Sequence, residues 1–553
     1  MFAEAGSRPL SRTTLSVALS LLLIAGFGFR VTELSSEGLS DDELNKLDAV
    51  ADYRAHGLTS ANGEHPLLMK ALLAVSIIGA EKWNHASLVA AHPELSIPVE
   101  TSLRFPNALF GSLTVVLLFL VASELFGFEV GLIAAALWAF DPLVIGFNRI
   151  GKEDTFLVFF FLLANVFWLR GQRVAESQPQ RKPEPFYWAT AASFGAMLAS
   201  KYILQPLVIS VAYNYTFQGM RATRWRIGKK RFLKFFIVMG IVFVICNPTI
   251  FLPGTWRAMA DFASYRTMGH DSYEFMGRFY SHRVTDWLRG IPWYFYLVLI
   301  GVKIPLLTLL GFVLGLGLLF KKKSGDGRFF LLLWLLVWSL TFTFSGGKFT
   351  RYSLSVLPAV MMTAAIGVQF VARQFGRFCA QVLDSDGVKS YARAALASLV
   401  VISVLWSAAS AAPHYRLYMN ALGGGSGRAG SYFPQDEFYD AYVRDAMIEI
   451  EKRAQPGTRV ASEAPTVAAY YARQANRSDL DCLELSDPEA VQKLAPGDFL
   501  IDGRGRTYSS NQAMLSRLRQ ASRPAFSIAV GTTPAAEVYV LDQKALDALP
   551  GRK

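Results

Sequence analysis

The sequence predicts an all-α polytopic membrane protein of about eleven transmembrane helices, closed by a small C-terminal α/β domain. Three observations predict it. Of 553 residues, 52% are hydrophobic and only 18% charged, against about a quarter charged in soluble globular chains. Apolar runs such as LSVALSLLLIAGFGF, GSLTVVLLFLVA and LLTLLGFVLGLGLLF lie in stretches suited to a hydrocarbon core, which takes about 20 residues to cross. From about Pro413 onward the composition turns soluble, and helical and strand-like runs alternate.

Candidate spans fall at 14–30, 104–124, 128–148, 154–170, 186–200, 202–218, 232–252, 292–320, 329–345, 352–371 and 391–411. The first has a basic lead, Arg8 and Arg12, but no small-residue cleavage site after Phe29, so it reads as an uncleaved span. Segment 66–83 is apolar but carries Lys70, Glu81 and Lys82, which suits either a crossing or an interfacial helix. Parity decides between them. With 66–83 outside the count and the N-terminus cytoplasmic, the basic clusters at 170–182, 221–231, 321–323 and 373–377 all face inward, as the positive-inside rule requires. A long outer loop (31–103), a later one (253–291) and the C-terminal part then lie outside.

The net charge of +12 therefore speaks to orientation and anionic lipid rather than to nucleic acid. Three cysteines give neither a disulfide framework nor zinc spacing. Past residue 412, helices are expected near 436–454, 464–475, 487–494 and 511–520. Strands are expected at 459–462, 498–502, 526–530 and 537–541. GGGSG at 423–427 reads as a flexible linker or turn, without the strand and helix that frame a nucleotide-binding loop.

The first outer loop is crowded with acids and turn formers. Ser40-Asp41-Asp42-Glu43 reads as a helix start, with Ser40 as N-cap and Glu43 three residues on. Leu44, Leu47 and Ala51 follow at helical spacing, and Glu64-His65-Pro66 opens a second helix. Capping alone explains such acids. Their shared membrane face makes them more interesting. With Asp42, Glu64 and His65 it collects the turn 148–154 with Arg149 and Asp154, the loop 253–291 with His270, and Ser345-Gly346-Gly347-Lys348 with Arg351. Arg104 opens the second span, and Lys201 and Lys303 sit close to apolar runs. Charges at a membrane edge tend to be paired or functional, although snorkelling accounts for any single one.

The order of these motifs resembles the GT-C membrane glycosyltransferases, namely the protein O-mannosyltransferase group (glycosyltransferase family 39) and bacterial relatives such as the aminoarabinose transferases of lipid A. Asp42-Glu43 matches the Asp-Glu of their first outer loop. Gly63-Glu64-His65-Pro66-Leu67-Leu68-Met69-Lys70 is similar to the acid-x-His-Pro-Pro-Leu-x-Lys stretch that ends it, with Leu67 in place of the second proline. RFPNALFGSLTVVLLFLVASELFG, FDPLVIGFNRIGKEDTFLVFF, GHDSYEFMGRFYSHRVTDWLRGIPWYFYLVLIGVKIPL and SGGKFTRYSLSVLP resemble later signatures in the same order. No luminal β-trefoil is inserted.

The resemblance implies a GT-C transmembrane domain (1–411) and an inverting transfer of a mannose-like hexose or a pentose. The donor would be a polyprenyl-phosphate-linked sugar, and the acceptor a protein, lipid or glycan outside the membrane. It casts Asp42 as general base and Glu43 as its geometric support. Lys348, Arg351, Arg104 and Arg149 become candidates for the donor phosphate, and Glu64, His65, Asp154 and His270 for sugar or acceptor. A divalent cation is permitted but not required. It places the chain in a bacterial inner membrane with residues 412–553 extracytoplasmic. A transporter and a non-catalytic envelope assembly protein are the rival classes; no inverted repeat supports the first.

Overall fold

A computed structural model of the chain describes residues 11–178, 180–217, 229–264, 267–322 and 325–549. Five helices there are long and apolar enough to cross a membrane: Thr13–Val31, Pro93–Phe126, Asp154–Ser177, Gly327–Phe344 and Asp386–Ala411. The pair Phe128–Phe140 and Pro142–Asn148, bent by 62°, brings the number to six. These apolar helices make the chain an integral membrane protein.

Of the remaining predicted spans, 352–371 falls on the 26-residue helix Leu357–Val382 and 232–252 on the 18-residue helix Lys229–Cys246, neither among the six, and the others fall on shorter or interrupted helices, so the count of eleven is not reproduced. The causes are local. Lys201 to Leu204 separate Glu184–Ser200 from Gln205–Ala212, and Pro305 separates Phe295–Lys303 from Leu306–Leu319. Proline supplies no backbone N–H and disfavours helix in the residue before it. Helix Leu67–Asn84, with Lys70, Glu81 and Lys82, is not one of these apolar spans. Its buried Lys70 donates to the carbonyls of Ala61 (3.2 Å), Asn62 (2.7 Å) and His65 (3.0 Å), tying its first turn to the loop before it.

Charge pairs mark the two ends of the bundle. At one end, Glu129 accepts from Arg373 (2.9 Å) and Arg393 (2.6 Å), Glu124 pairs with Arg173 and Glu184 with Arg231. Arg173, Glu184, Arg231 and Arg373 come from the loops expected to face inward, Glu124, Glu129 and Arg393 from the span ends beside them, and they meet. At the other end lie the first outer loop, the turn 149–154, the 345–351 loop and residues 413–441. Between the two, helices Leu306–Leu319 and Leu357–Val382 approach closely. A β-carbon on Gly315 would stand 1.9 Å from the Thr363 carbonyl oxygen, and one on Gly367 would stand 2.0 Å from that of Gly311. The pattern Gly311-x-x-x-Gly315 is the small-residue spacing that lets membrane helices touch.

The segment 253–291 is not a plain loop. It contains helix Pro253–Ser264 and an antiparallel hairpin, β1 (Thr267–Phe275) and β2 (Arg278–Arg283), turned at Met276-Gly277 with positive φ at both, as a two-residue hairpin turn demands. The C-terminal part holds a five-stranded mixed sheet of β3 (Arg459–Ser462), β4 (Asp481–Glu484), β5 (Phe499–Gly503), β6 (Phe526–Val530) and β7 (Thr533–Val540), ordered β4-β3-β5-β7-β6. β3 pairs in parallel with β4 and β5, and β7 antiparallel with β5 and β6. The four expected strands form, and β4 is an addition. The glycine-rich run is a turn, held by Asn420 donating to the carbonyls of Gly301 and Ile304 (both 2.7 Å). A shared apolar core joins Leu39, Leu44 and Val50 of the outer loop to Ala441, Val443, Met447, Val467 and Ala468.

Candidate active site

Ser40 starts helix Asp41–His56 with a capping box: its hydroxyl accepts from the Glu43 amide, and the Glu43 carboxylate accepts from the Ser40 amide. This fixes the first turn and aims Asp42 and Glu43 differently. Glu43 is fully buried and takes two bonds from Arg104, Nε at 2.8 Å and Nη2 at 2.7 Å, with a third from the Gly151 amide at 3.0 Å. Arg104 also donates to the carbonyls of Leu34, Glu37 and Gly38. Arg149 donates to those of Phe29, Arg30, Thr32 and Glu33. Both arginines thus brace the entry to the first outer loop.

Asp42 faces the other way and keeps 34% of its side chain exposed. Its Oδ1 lies 2.9 Å from the Lys152 ammonium, its Oδ2 3.5 Å from the Arg351 guanidinium, and the Tyr439 hydroxyl donates to Oδ2 at 2.6 Å. Burial works to raise this carboxyl, but Lys152, Arg351, Lys46 and the Tyr439 hydrogen bond outweigh it and hold it well below the ordinary carboxylate range. The Arg351 guanidinium also sits 4.1 Å from the centre of the Phe349 ring, so it is oriented from two sides.

Beside this centre, Glu153 meets Lys46 (3.2 Å), the His65 ring (3.4 Å) and Lys152 (3.9 Å). Burial opposes its charge, and His65, Lys152, Lys46 and Lys201 together hold it well below its usual value. Burial pushes the His65 imidazole well below its usual pKa even with Glu153 alongside. Asp154 pairs with Lys201 at 2.5 Å, and that ammonium stands over the Tyr352 ring at 4.9 Å. Four cations, Lys46, Lys152, Lys201 and Arg351, therefore interleave with three carboxylates, Asp42, Glu153 and Asp154.

Of the residues nominated from sequence, Asp42, Arg351, His65 and Asp154 come together here, with Glu43 directly behind. Glu64 stands at the margin, accepting from Asn62, whose own side chain accepts from Lys46. Lys348 lies on the same face, three residues before Arg351. Its ammonium donates to the carbonyls of Ile291 (2.7 Å) and Ser345, and burial pushes its pKa down to about 8. His270 stacks on Tyr508 at 3.9 Å and contacts Arg506 at 2.9 Å, outside the Asp42 cluster. Lys303 does not snorkel: it is buried against Glu437 and donates to the Arg416 carbonyl at 2.8 Å.

Lys46, Lys152, Glu153 and Tyr439 were not nominated from the sequence. Lys152 and Glu153 directly precede Asp154 in the same charged turn, so the sequence carries a signal for them. Tyr439 lies 397 residues from Asp42, and no local pattern marks it. Among the described residues, no three His, Cys, Asp or Glu side chains are grouped to hold a metal ion. The Asp42 cluster is built for ion pairing.

Residues 88–251 match the family model described as Dolichyl-phosphate-mannose-protein mannosyltransferase. No curated protein matches the sequence. Among solved structures, ArnT from Cupriavidus metallidurans in the apo state is similar at a TM-score of 0.51 and 13% identity, over 98% of this chain and 100% of that one. The Archaeoglobus fulgidus oligosaccharyltransferase tethered with an acceptor peptide containing the NVT sequon is similar at 0.50 and 12%, over 89% of this chain and 69% of that one. The chain has the GT-C fold and resembles the protein O-mannosyltransferases and ArnT.

Proposed function

We propose that this protein is an inverting glycosyltransferase that moves a sugar from a polyprenyl phosphate to an acceptor hydroxyl at the extracytoplasmic rim of the membrane. The observation that carries the reading is the meeting of Asp42, from the first outer loop, with Arg351, from far along the chain, and with Lys152, from the turn 149–154. The matched family's description, with its lipid-phosphate-linked mannose, supports the donor class.

In this reading the acceptor oxygen attacks the anomeric carbon from the side opposite the phosphate, and Asp42 takes its proton. The bond from that carbon to the phosphate oxygen breaks, and the lipid phosphate leaves with the electron pair and one more negative charge. Arg351 and Lys152 stabilise that growing charge more than they stabilise the bound donor, which is what lowers the barrier. The same cations hold Asp42 at low basicity in the resting protein. A donor phosphate that draws them away raises its affinity for a proton when the proton must be taken. Asp154, Lys201, Glu153 and His65 orient the sugar, with Glu64 at the edge; Lys348 supports the loop that carries Arg351. Arg104 and Arg149 act as braces, and Glu43 sets the direction of Asp42. The basic end of the bundle faces the cytoplasm of a bacterium, and residues 412–553 face out.

The test is direct. The purified chain in lipid nanodiscs is incubated with radiolabelled polyprenyl-phosphate hexoses and pentoses and with a bacterial envelope extract that supplies protein, lipid and glycan acceptors, and release of polyprenyl phosphate is followed. At least one donor is consumed, and Asp42→Asn abolishes the consumption. Failure with every donor, or equal rates in the variant, removes the reading.

A further inference from the structure

Asp42 already holds a hydroxyl. The Tyr439 phenol donates to Oδ2 at 2.6 Å while Lys152 and Arg351 approach the same carboxylate. A carboxylate offers about four lone-pair positions, and three are engaged. Of the three, only the one on Tyr439 is made by a hydroxyl, the bond that an acceptor hydroxyl yielding its proton to Asp42 would make.

The backbone behind this phenol is unusual. Tyr439 (φ 50°, ψ 45°) and Asp440 (φ 60°) are consecutive residues in the left-handed region, and both carry a β-carbon. Such conformations persist only where their surroundings over-determine them, and they cluster at functional sites. The determinants are visible. Arg506 clamps Asp440 through Nε at 2.6 Å and through Nη2. The Asp41 amide donates to Asp440 at 3.3 Å, and Arg416 reaches the Glu437 and Phe438 carbonyls and lies 5.4 Å from the centre of the Tyr439 ring. Residues from the C-terminal part thus force one phenol onto the candidate base.

We propose that Tyr439 occupies the acceptor position on Asp42 and screens its Oδ2 from water until an acceptor hydroxyl displaces it. The inference rests on the reading of Asp42 as the base of a glycosyl transfer. Tyr439 is then a specificity-determining and positioning residue. It lets a tightly held hydroxyl exchange onto the carboxylate and disfavours water, whose attack would waste the donor as free sugar and polyprenyl phosphate.

Two measurements on the full chain in nanodiscs test it. With radiolabelled polyprenyl-phosphate mannose and no acceptor, Tyr439→Phe raises donor hydrolysis by about threefold to tenfold, the weight of one hydrogen bond. Its acid limb also moves to higher pH, because a bond that favours the carboxylate is gone. A purely structural tyrosine predicts unchanged or reduced hydrolysis, and that result overturns the proposal. The second measurement needs no turnover. In an Asp42→Cys background, with Cys246, Cys379 and Cys482 replaced, a small water-soluble thiol reagent labels position 42 at least about tenfold faster when Tyr439 is also changed to Ala. Equal labelling rates overturn the screen even if the wild-type chain transfers sugar. No consumption of any donor by the wild type, with fast labelling, overturns the acceptor role by removing the reaction itself.

Discussion

Asp42 sits among more positive charge than it needs, and its neighbours define what single substitutions do. Asp42→Asn keeps the shape and the Tyr439 contact but cannot take a proton. Donor turnover falls by about 10²–10⁴-fold, the usual contribution of a general base, while the thermal unfolding midpoint stays within a few degrees. Arg351→Ala weakens polyprenyl-phosphate binding by about tenfold to a hundredfold, as loss of a charged hydrogen bond predicts; titration of the phosphate-bearing lipid measures it. His65 supplies a pH effect with a definite sign. Burial depresses its folded pKa, so below about pH 6.5 the unfolded chain binds a proton that the folded chain refuses. Stability therefore declines as pH falls from about 6.5 toward the depressed value, and His65→Gln flattens that slope in denaturation experiments. Asp42, Glu43, His65 and Arg351 were legible because each lies in a short motif of distinctive chemistry. Lys46 and Lys201 were not, because a lysine near a membrane edge looks the same whether it snorkels or pairs, and only its partner across the fold decides.

Helix starts and helix contacts set these residues in place. The capping box at Ser40 was readable from four consecutive letters, since local hydrogen bonding needs only local sequence. What Glu43 does beyond the cap was not readable: its partner Arg104 is 61 positions away. Removing one side of this buried pair leaves an uncompensated charge, so Arg104→Ala costs about 3–5 kcal/mol and lowers the yield of folded protein in detergent. Glu43→Gln falls in the same range and also lets Asp42 turn. Gly315 tests a different contact. Valine there collides with the Thr363 carbonyl, so Gly315→Val separates two helices and lowers the unfolding midpoint, while Gly317→Val, which meets nothing within 4 Å, leaves it unchanged. Gly311 and Gly315 stand in the sequence at a helix-contact spacing, but nothing local says which helix they meet. The broken helices around Lys201 and Pro305 were harder, because a hydropathy window averages across a break.

At the scale of the whole molecule, the compositional boundary near residue 412 and the packing boundary do not coincide. Residues 413–441 belong to the bundle. Glu437 neutralises Lys303, Arg416 pairs with Glu37 at 2.5 Å, and the Thr350 amide and Tyr273 hydroxyl both donate to Asp436. Composition records where polar residues begin, whereas packing depends on which buried charges find partners, so only the first was legible. A chain ending at residue 411 leaves Lys303 and Glu37 buried without these partners. It is expected to be degraded in the membrane, whereas one ending at 442 accumulates better but loses the clamp on Asp440; immunoblotting of membranes distinguishes the two. The long reach from Asp42 to Tyr439 also bears on biosynthesis. A polypeptide emerging from the ribosome supplies Asp42 early and the Tyr439 phenol only 397 residues later. A chain cut short between the two can therefore not present the finished centre, and no substrate meets it until both have been made.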